Sequence, residues 1–362
     1  MPLHLHQERK MSSSNSRDRF TKPFRPDRNR SGDNAAPRLH DDSENPDLRL
    51  AYSGRTDFAN GQRFLERFGE DVCYVQGLGF LVWNGHCWKL DRSKLATRQT
   101  AHQTATGIDG EVDALRQKGA DRQAIEDLKK WRVTSQNSAR IDAMMREAKP
   151  YLEQDIDKFD ALDFRFNAAN TTIDLESPPD HWEPDIDDLF VRPRPPYRDD
   201  LITLRASAAY DPAADCPQWE KFLIETFPDP EVRAFIQRWM GYVLTGSVEE
   251  QSLVIFYGLG ANGKSTFLET ITYVLGAYVA GLPFASLLHD DRRRGSEASP
   301  DIARLRGVRL VVTSEPDLGA RFSESTIKQL TGGDRLTARS LNQDFFEFRP
   351  TFKLMLSANH RP

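Results

Sequence analysis

The stretch Gly258-Leu259-Gly260-Ala261-Asn262-Gly263-Lys264-Ser265 fits the pattern G-x-x-x-x-G-K-[ST] of a phosphate-binding loop. The residues before it, Ser252–Tyr257, are typical of a short buried strand, and residues 266–275 carry apolar side chains at helical spacing. In this setting the loop N–H groups and the positive end of the helix dipole stabilise a bound phosphate. A chance Gly-rich turn is the alternative, expected on the order of once in a hundred chains of this length. The stretch therefore predicts a nucleoside-triphosphate site in an α/β domain.

The residue types in the loop predict distinct contacts with ATP. Lys264 would reach the β- and γ-phosphates, and the hydroxyl of Ser265 would hold Mg²⁺. The residues expected to surround the phosphates are Gly258, Leu259, Gly260, Ala261, Asn262, Gly263, Lys264, Ser265 and Thr266.

Composition limits the class of protein. The 362 residues have room for about two domains, and the net charge of -5 excludes a globally basic nucleic-acid-binding protein but not a local basic loop. No run of 18 apolar residues is present, so no membrane partner is expected. Cys73, Cys87 and Cys216 form no disulfide framework, which favours a reducing, cytoplasmic environment. Zinc bound by Cys73, His86 and Cys87 is a minor alternative, at roughly one in twenty.

Three segments differ in their composition. Residues 1–48 are polar, with basic residues first and acids after them, and predict a disordered tail; a nucleic-acid contact of its basic half is the less favoured alternative. Residues 49–210 predict a mainly helical, α+β accessory domain, and residues 211–362 predict the P-loop ATPase domain.

Local patterns predict the elements of the two larger segments. In the first segment they are a capped helix over Thr56–Gly69, a hairpin turning at Asn84-Gly85 with a second strand from His86, helices from 92 to about 154 with a break near Lys118-Gly119, and an extended Pro-rich crossover at 192–196. In the second they are two helices within Trp219–Leu244 separated by Phe227–Pro230, and an alternating, hairpin-like stretch over Arg335–Phe348.

Two further predicted strands each end in a polar residue that suits ATP hydrolysis. Val308–Ser314 is followed by Glu315, and Phe352–Ser357 leads through Ala358 to Asn359. A carboxylate beside a phosphate loop can assist the metal or activate water, and an amide can position the attacking water. The alternatives are an acid that merely starts a loop and ordinary turn chemistry for the amide. The upstream loop favours a catalytic Glu315 by about four to one.

Taken together, these motifs resemble those of superfamily 3 helicases, and more narrowly the C-terminal half of phage and plasmid primase–helicases. The resemblance rests on Gly-Ala-Asn-Gly-Lys-Ser-Thr at 260–266, Leu-Thr-Gly-Gly-Asp-Arg-Leu-Thr-Ala-Arg at 330–339 and Phe-Lys-Leu-Met-Leu-Ser-Ala-Asn at 352–359. The resemblance also extends upstream to about residue 50 and covers the helical accessory domain.

The resemblance implies a homo-hexameric ring ATPase that moves along single-stranded or forked DNA in phage- or plasmid-type DNA replication. Glu315 would be the Walker-B acid that shares Mg²⁺ with Ser265, and Asn359 would sense the γ-phosphate. Lys328, Arg335 and Arg339 would contact DNA, with solvated hairpin arginines as the alternative at about one in three. The resemblance also implies a bacterial host cytoplasm and, because we expect no primase catalytic domain in residues 1–48, a separate primase.

The sequence departs from the family pattern at two points. Ser314 stands where many P-loop enzymes carry Asp beside the acid, so metal assistance falls to Glu315 or Asp317. The family places its arginine finger and remaining helices after the position of Pro362, so we expect a motor that is incomplete at its C-terminus. The alternative is a DNA-associated, nucleotide-binding loader or a degenerate remnant without motor activity. A small-molecule P-loop kinase is disfavoured because no acceptor-binding or lid signature is recognised.

Overall fold

Residues 45–175, 191–258, 262–287, 300–314, 323–339 and 345–358 are described by the computed structural model. All of them lie in one unit of the chain, residues 42–362. Helix α1, Pro46–Ala51, begins inside the predicted tail. It is held there because Leu50 is buried and Asp47 pairs with Arg67 at 2.8 Å.

Helices and a small antiparallel sheet make up residues 46–152. After α1 the elements are α2 (Asp57–Phe68), β1 (Val72–Val75), β2 (Gly79–Trp83), β3 (Trp88–Leu90), α3 (Leu95–Gln117), α4 (Arg122–Ser135) and α5 (Ser138–Leu152), with the strands in the order β1-β2-β3. The predicted capped helix is confirmed, since the Thr56 hydroxyl accepts the Ala59 N–H at 3.1 Å. The predicted break is confirmed too, because Gly119 adopts a φ of 71° between α3 and α4.

The predicted hairpin is confirmed, but its second strand starts two residues later than expected. Trp83 pairs with Trp88 across β2 and β3, so the connection spans residues 84–87. The side-chain oxygen of Asn84 accepts the N–H groups of His86 at 3.0 Å and Cys87 at 2.9 Å. Those two residues therefore belong to an Asx-type turn instead of the ladder.

A second antiparallel sheet follows, with the order β4-β5-β6. Its strands are β4 (Arg165–Asn167), β5 (Thr172–Leu175) and β6 (Val191–Arg194). The sequence predicts an extended Pro-rich crossover at 192–196; residues 192–194 are extended, but they belong to β6 and pair with β5, with Pro193 opposite Ile173. An edge strand tolerates proline because its missing N–H is not needed by a further neighbour.

The C-terminal part is a mixed α/β arrangement around a parallel sheet with the order β7-β12-β9-β8. Its elements are α6 (Pro217–Thr226), α7 (Pro230–Leu244), β7 (Leu253–Tyr257), α8 (Lys264–Leu275), β8 (Val279–Gly281), α9 (Pro300–Ala303), β9 (Leu310–Ser314), α10 (Glu324–Thr331), β10 (Leu336–Ala338), β11 (Phe346–Phe348) and β12 (Lys353–Ala358). The predicted helix pair, the strands on either side of the site and the hairpin β10–β11 are confirmed.

Alternation along the strands gives this sheet two apolar faces. One face, with Phe256, Leu310 and Met355, packs against Trp239 and Phe267 of the preceding and following helices. The opposite face of the sheet, with Val311, Leu354 and Leu356, is covered by the hairpin. The hairpin residues buried against it include Leu336, Phe346 and Phe348. Helix α8 and the hairpin therefore lie on opposite sides of the strands that lead into the candidate site.

Arginines of the C-terminal part bind backbone carbonyls of residues 156–165. Arg306 donates to the carbonyls of Ile156 and Phe159, each at 3.1 Å. Arg309, which is buried, donates to the carbonyls of Leu162 and Arg165 at 3.2 and 3.3 Å. These bonds cross the predicted boundary near residue 210, whose position stays a prediction.

Candidate nucleotide site and hairpin

Three parallel strands end together at one edge of the sheet. Ala358 of β12 lies opposite Tyr257 of β7, and Ser357 lies opposite Ser314 of β9. The N–H of Gly258 donates to the carbonyl of Ala358 at 3.3 Å, so the predicted phosphate loop leaves the sheet beside the end of β12. Parallel strands gather the residues that follow them at such an edge. The predicted catalytic residues Glu315 and Asn359 lie outside the described residues.

Glycine is required at the point where the loop enters helix α8. Gly263 is the N-cap of α8 and has a φ of 82°. A Cβ at this position would lie 2.8 Å from the Thr226 hydroxyl oxygen and 2.9 Å from its methyl carbon, which is tighter than side chains tolerate. Sequence reasoning did not identify Thr226 as a neighbour of the loop. Leu259, Gly260 and Ala261 lie outside the described residues.

The side chain of Lys264 forms hydrogen bonds with two other described residues of the loop. Its side chain is only 9% exposed, and Nζ donates to the Gly258 carbonyl at 2.5 Å and to Asn262 Oδ1 at 3.1 Å. Both acceptors are neutral, so a negatively charged phosphate oxygen would make a stronger bond with the same amine. Ser265 and Thr266, in the first turn of α8, are exposed and accessible to a ligand.

An aromatic cluster holds α8 in place beneath the loop. Phe267 is 1% exposed, and its ring centroid lies 5.6 Å from that of Trp219, 5.7 Å from Phe227 and 5.2 Å from Phe256. These rings join α8 to strand β7 and to the α6–α7 pair. Sequence reasoning did not predict this cluster. The aromatic residues at strand and helix positions were the signal that could have indicated it.

The predicted DNA-contact residues lie in three different settings. Lys328 projects from α10 with 80% of its side chain exposed and Nζ 3.8 Å from Glu324. Arg335, at the start of the hairpin, donates from Nη2 to both carboxylate oxygens of Asp157 at 2.8 and 2.9 Å. Its Nε also lies 3.3 Å from Glu347. The positive charge of Arg335 is thus matched by nearby carboxylates.

Arg339 lies at the other end of the described hairpin and has a different neighbour. Its guanidinium carbon lies 4.7 Å from the centroid of the Phe345 ring, one step beyond the pair Ala338–Phe346. Within the described ranges, no carboxylate lies within 4.0 Å of this guanidinium. DNA contact by these residues stays a prediction.

Other candidate sites are weak in the part of the chain that the structure covers. There, no group of three His, Cys, Asp or Glu side chains lies close enough to hold a metal ion. Burial raises the pKa of the Cys73 thiol to about 12, so this thiol is a poor ligand or nucleophile at neutral pH. Across the same ranges, helices that could span a lipid bilayer are absent.

Two family models match the chain. Residues 61–228 match a model described as D5 N terminal like, and residues 256–362 match a model described as a family of unknown function (DUF5906). The first covers most of the helical part and the second covers the candidate nucleotide site.

Viral proteins named as helicases or primases share part of the sequence. "Putative helicase L207/L206" of Acanthamoeba polyphaga mimivirus is 35% identical over 141 residues, which are 39% of this chain and 15% of that protein. "Putative helicase 022R" of Frog virus 3 is 31% identical over 145 residues, with the same shares of each chain. "Putative primase C962R" of African swine fever virus is 24% identical over 155 residues, which are 42% of this chain and 16% of that protein.

The chain thus spans about one-sixth of the length of these curated relatives. Together with the D5 N terminal like match, these alignments show that parts of this chain are similar to viral proteins named as helicases or primases.

Solved structures show only a limited likeness. The A form of the apo NrS-1 C-terminal region aligns with a TM-score of 0.37 and 15% identity, covering 54% of this chain and 43% of that chain. Another apo structure of that region aligns with a TM-score of 0.35 and 16% identity, covering 41% and 35%.

Proposed function

We propose that the chain is the motor segment of an ATP-dependent DNA helicase of the superfamily 3 type, with a P-loop ATPase domain. It would bind and hydrolyse ATP with Mg²⁺ and use that energy to move along single-stranded DNA. The observation that carries the proposal is Lys264, buried at the start of α8 with its amine bonded to the loop atoms Gly258 O and Asn262 Oδ1. The viral helicases and primases to which the chain is similar support the same function.

Each residue of the site has a proposed role. Lys264 exchanges its neutral acceptors for β- and γ-phosphate oxygens, and the loop from Gly258 to Thr266 surrounds the phosphates. The exposed hydroxyl of Ser265 is the kind of oxygen ligand that Mg²⁺ takes, and Glu315 would assist the metal or activate water. Asn359 would position the water that attacks the γ-phosphate.

The DNA partner and the assembly belong to the same proposal. Lys328, Arg335 and Arg339 would attract the phosphates of single-stranded or forked DNA without sequence preference. The working form would be a homo-hexamer in the cytoplasm of a bacterial host, with priming supplied by a separate protein. These features and the helicase activity are inferred from the resemblance to superfamily 3 helicases and from the positive charges of Lys328, Arg335 and Arg339.

The alternative function is a DNA-associated loader or remnant that binds nucleotide without acting as a motor. The observation that favours it is Arg335, whose pairing with Asp157 and Glu347 lowers the net positive charge of the hairpin. The two functions share the nucleotide site and differ in whether DNA stimulates hydrolysis.

Nucleotide binding is tested with a fluorescent ATP analogue. Lys264→Ala removes a charge-assisted hydrogen bond worth about 1.5–3 kcal/mol, so the affinity should fall at least about tenfold. The matched control is Lys221→Ala, because 77% of the Lys221 side chain is exposed on α6. Equal affinity of the parent and the Lys264 variant would contradict the nucleotide site.

Motor activity is tested by ATP hydrolysis with and without single-stranded DNA. DNA-stimulated turnover that is abolished by Glu315→Gln would support the motor. Nucleotide binding with no DNA-stimulated hydrolysis would favour the loader or remnant.

A further inference from the structure

The outer face of the hairpin β10–β11 carries a charged end and an aromatic end. On its inner face Leu336, Ala338, Phe346 and Phe348 are all buried against the sheet. Because side chains alternate along strands, Arg335, Thr337 and Arg339 share the outer face with Glu347, and Phe345 lies next to Arg339. Thr337, Phe345 and Glu347 are exposed on this outer face.

The charged end is already occupied by acidic partners. Both carboxylate oxygens of Asp157 accept from Arg335, and Glu347 lies diagonally across the hairpin from it. Because these two carboxylates offset the charge of Arg335, a phosphate would have to displace one of them to reach its guanidinium. The stronger candidate for a nucleic-acid contact is thus the other end.

The aromatic end combines a cation with an exposed ring. Phe345 is 48% exposed, and the Arg339 guanidinium lies 4.7 Å from its ring centroid. In the described part of the chain no carboxylate pairs with this guanidinium, so its charge is not neutralised there. A single exposed phenylalanine is common on protein surfaces, but this one has a guanidinium over its ring, so a cation and an aromatic ring lie together.

We propose that Phe345 and Arg339 form a stacking platform for a nucleobase of single-stranded nucleic acid. Aromatic rings and guanidinium planes both stack on bases, and the contact is tolerant of sequence because every base has a π-face. Single strands are the required form, since paired bases in a duplex do not offer their faces. This inference rests on the proposed function and adds a base contact to its phosphate contacts.

The experiment compares two labelled oligonucleotides of equal length, one of thymidines and one with abasic sites in place of the bases. Both carry the same phosphates, so any difference in affinity at fixed salt reports contact with bases. Phe345→Ala should lower the affinity for the thymidine oligonucleotide by about 5- to 150-fold and leave the abasic affinity within about twofold. Phe345→Trp should keep the preference for bases, because the indole also stacks.

The matched control is Phe58→Ala, because Phe58 on α2 is 46% exposed and lies outside the hairpin. It should behave as the parent with both oligonucleotides. Binding of the fluorescent ATP analogue by every variant shows that the nucleotide site is intact.

Three results would overturn the inference. If the parent binds both oligonucleotides equally, no base is contacted and only the phosphate contacts of the proposed function stand. If Phe345→Ala keeps the parent's preference, or loses affinity equally for both oligonucleotides, stacking on Phe345 is excluded. If the parent binds neither oligonucleotide but binds the ATP analogue, the DNA partner of the proposed function fails as well.

Discussion

Replacing Lys353 tests how the buried start of strand β12 is stabilised. Lys353 is 2% exposed, and its Nζ donates to the Thr245 carbonyl at 2.6 Å and lies 4.3 Å from the centroid of the Tyr242 ring. Burial, together with the nearby charge of Arg309, lowers the pKa of Lys353 from 10.5 to about 7, against the opposing effect of Asp163. The amine is therefore about half neutral at neutral pH in the folded protein.

The size of the effect follows from proton linkage. Between about pH 7 and pH 10.5 the unfolded chain holds a proton on Lys353 that the folded chain lacks, so the free energy of unfolding rises with pH. Lys353 alone contributes a slope of about 1.4 kcal/mol per pH unit, or about 5 kcal/mol across the window. Below about pH 7 both states are protonated, and the cost of burying the charge is present in full.

Lys353→Met keeps the chain length and removes the amine, so this slope should disappear. Urea unfolding of parent and variant, followed by tryptophan fluorescence from pH 7 to 9.5, should show the variant gaining stability relative to the parent as pH falls. The matched control, Lys221→Met, changes an exposed lysine and should leave the difference constant.

A direct measurement of the pKa completes this test. In NMR spectra of protein isotope-labelled at the lysine Cε carbons, the resonance of Lys353 is identified as the one that Lys353→Met removes. This resonance should titrate near pH 7. Parallel stability curves for parent and variant, or titration of that signal near pH 10.5, would refute the reasoning.

Two further predictions concern the loop and the hairpin. Gly263→Ala forces a side chain onto a φ of 82°, so it should lower the free energy of unfolding by about 1–2 kcal/mol and weaken ATP-analogue binding. The control Gly241→Ala should do neither, because its new Cβ meets nothing within 4 Å. Equal binding by both variants would contradict the required glycine. Asp157→Asn removes one of the two carboxylates beside Arg335 and leaves Glu347, so Arg335 should reach a phosphate more easily, raising the affinity for single-stranded DNA and steepening its salt slope by about one. The control Asp113→Asn on α3 should have no effect. An unchanged slope would show that Arg335 does not reach DNA.

Much of the local structure could be predicted from the sequence. The helix after Thr56, the hairpin around Asn84 and the strand before Gly258 were predictable because caps, turn residues and apolar periodicity act over a few neighbouring residues. Strand β6 was missed because a proline-rich stretch has no strand propensity, and only pairing with β5 makes residues 191–194 a strand.

The candidate site was partly predictable for the same reason. Lys264 and Gly263 were identified because the phosphate-loop pattern depends on consecutive residues. Thr226 was missed as a neighbour of Gly263 because it lies on the helix α6, far from the loop in sequence. Glu315 and Asn359 stay predictions, since they lie outside the described residues.

By itself, the sequence determined the elements and the loop, because hydrogen bonds within a turn and the demand of Gly263 for a positive φ are local properties. Only the tertiary structure decided that β12 lies between β7 and β9, so that three strands end at one edge. It also decided that Arg335 is paired with Asp157, 178 residues away, while Arg339 lies against an exposed ring. Such choices depend on which distant surfaces bury apolar area together and which charges are left beside them, and no short pattern records them.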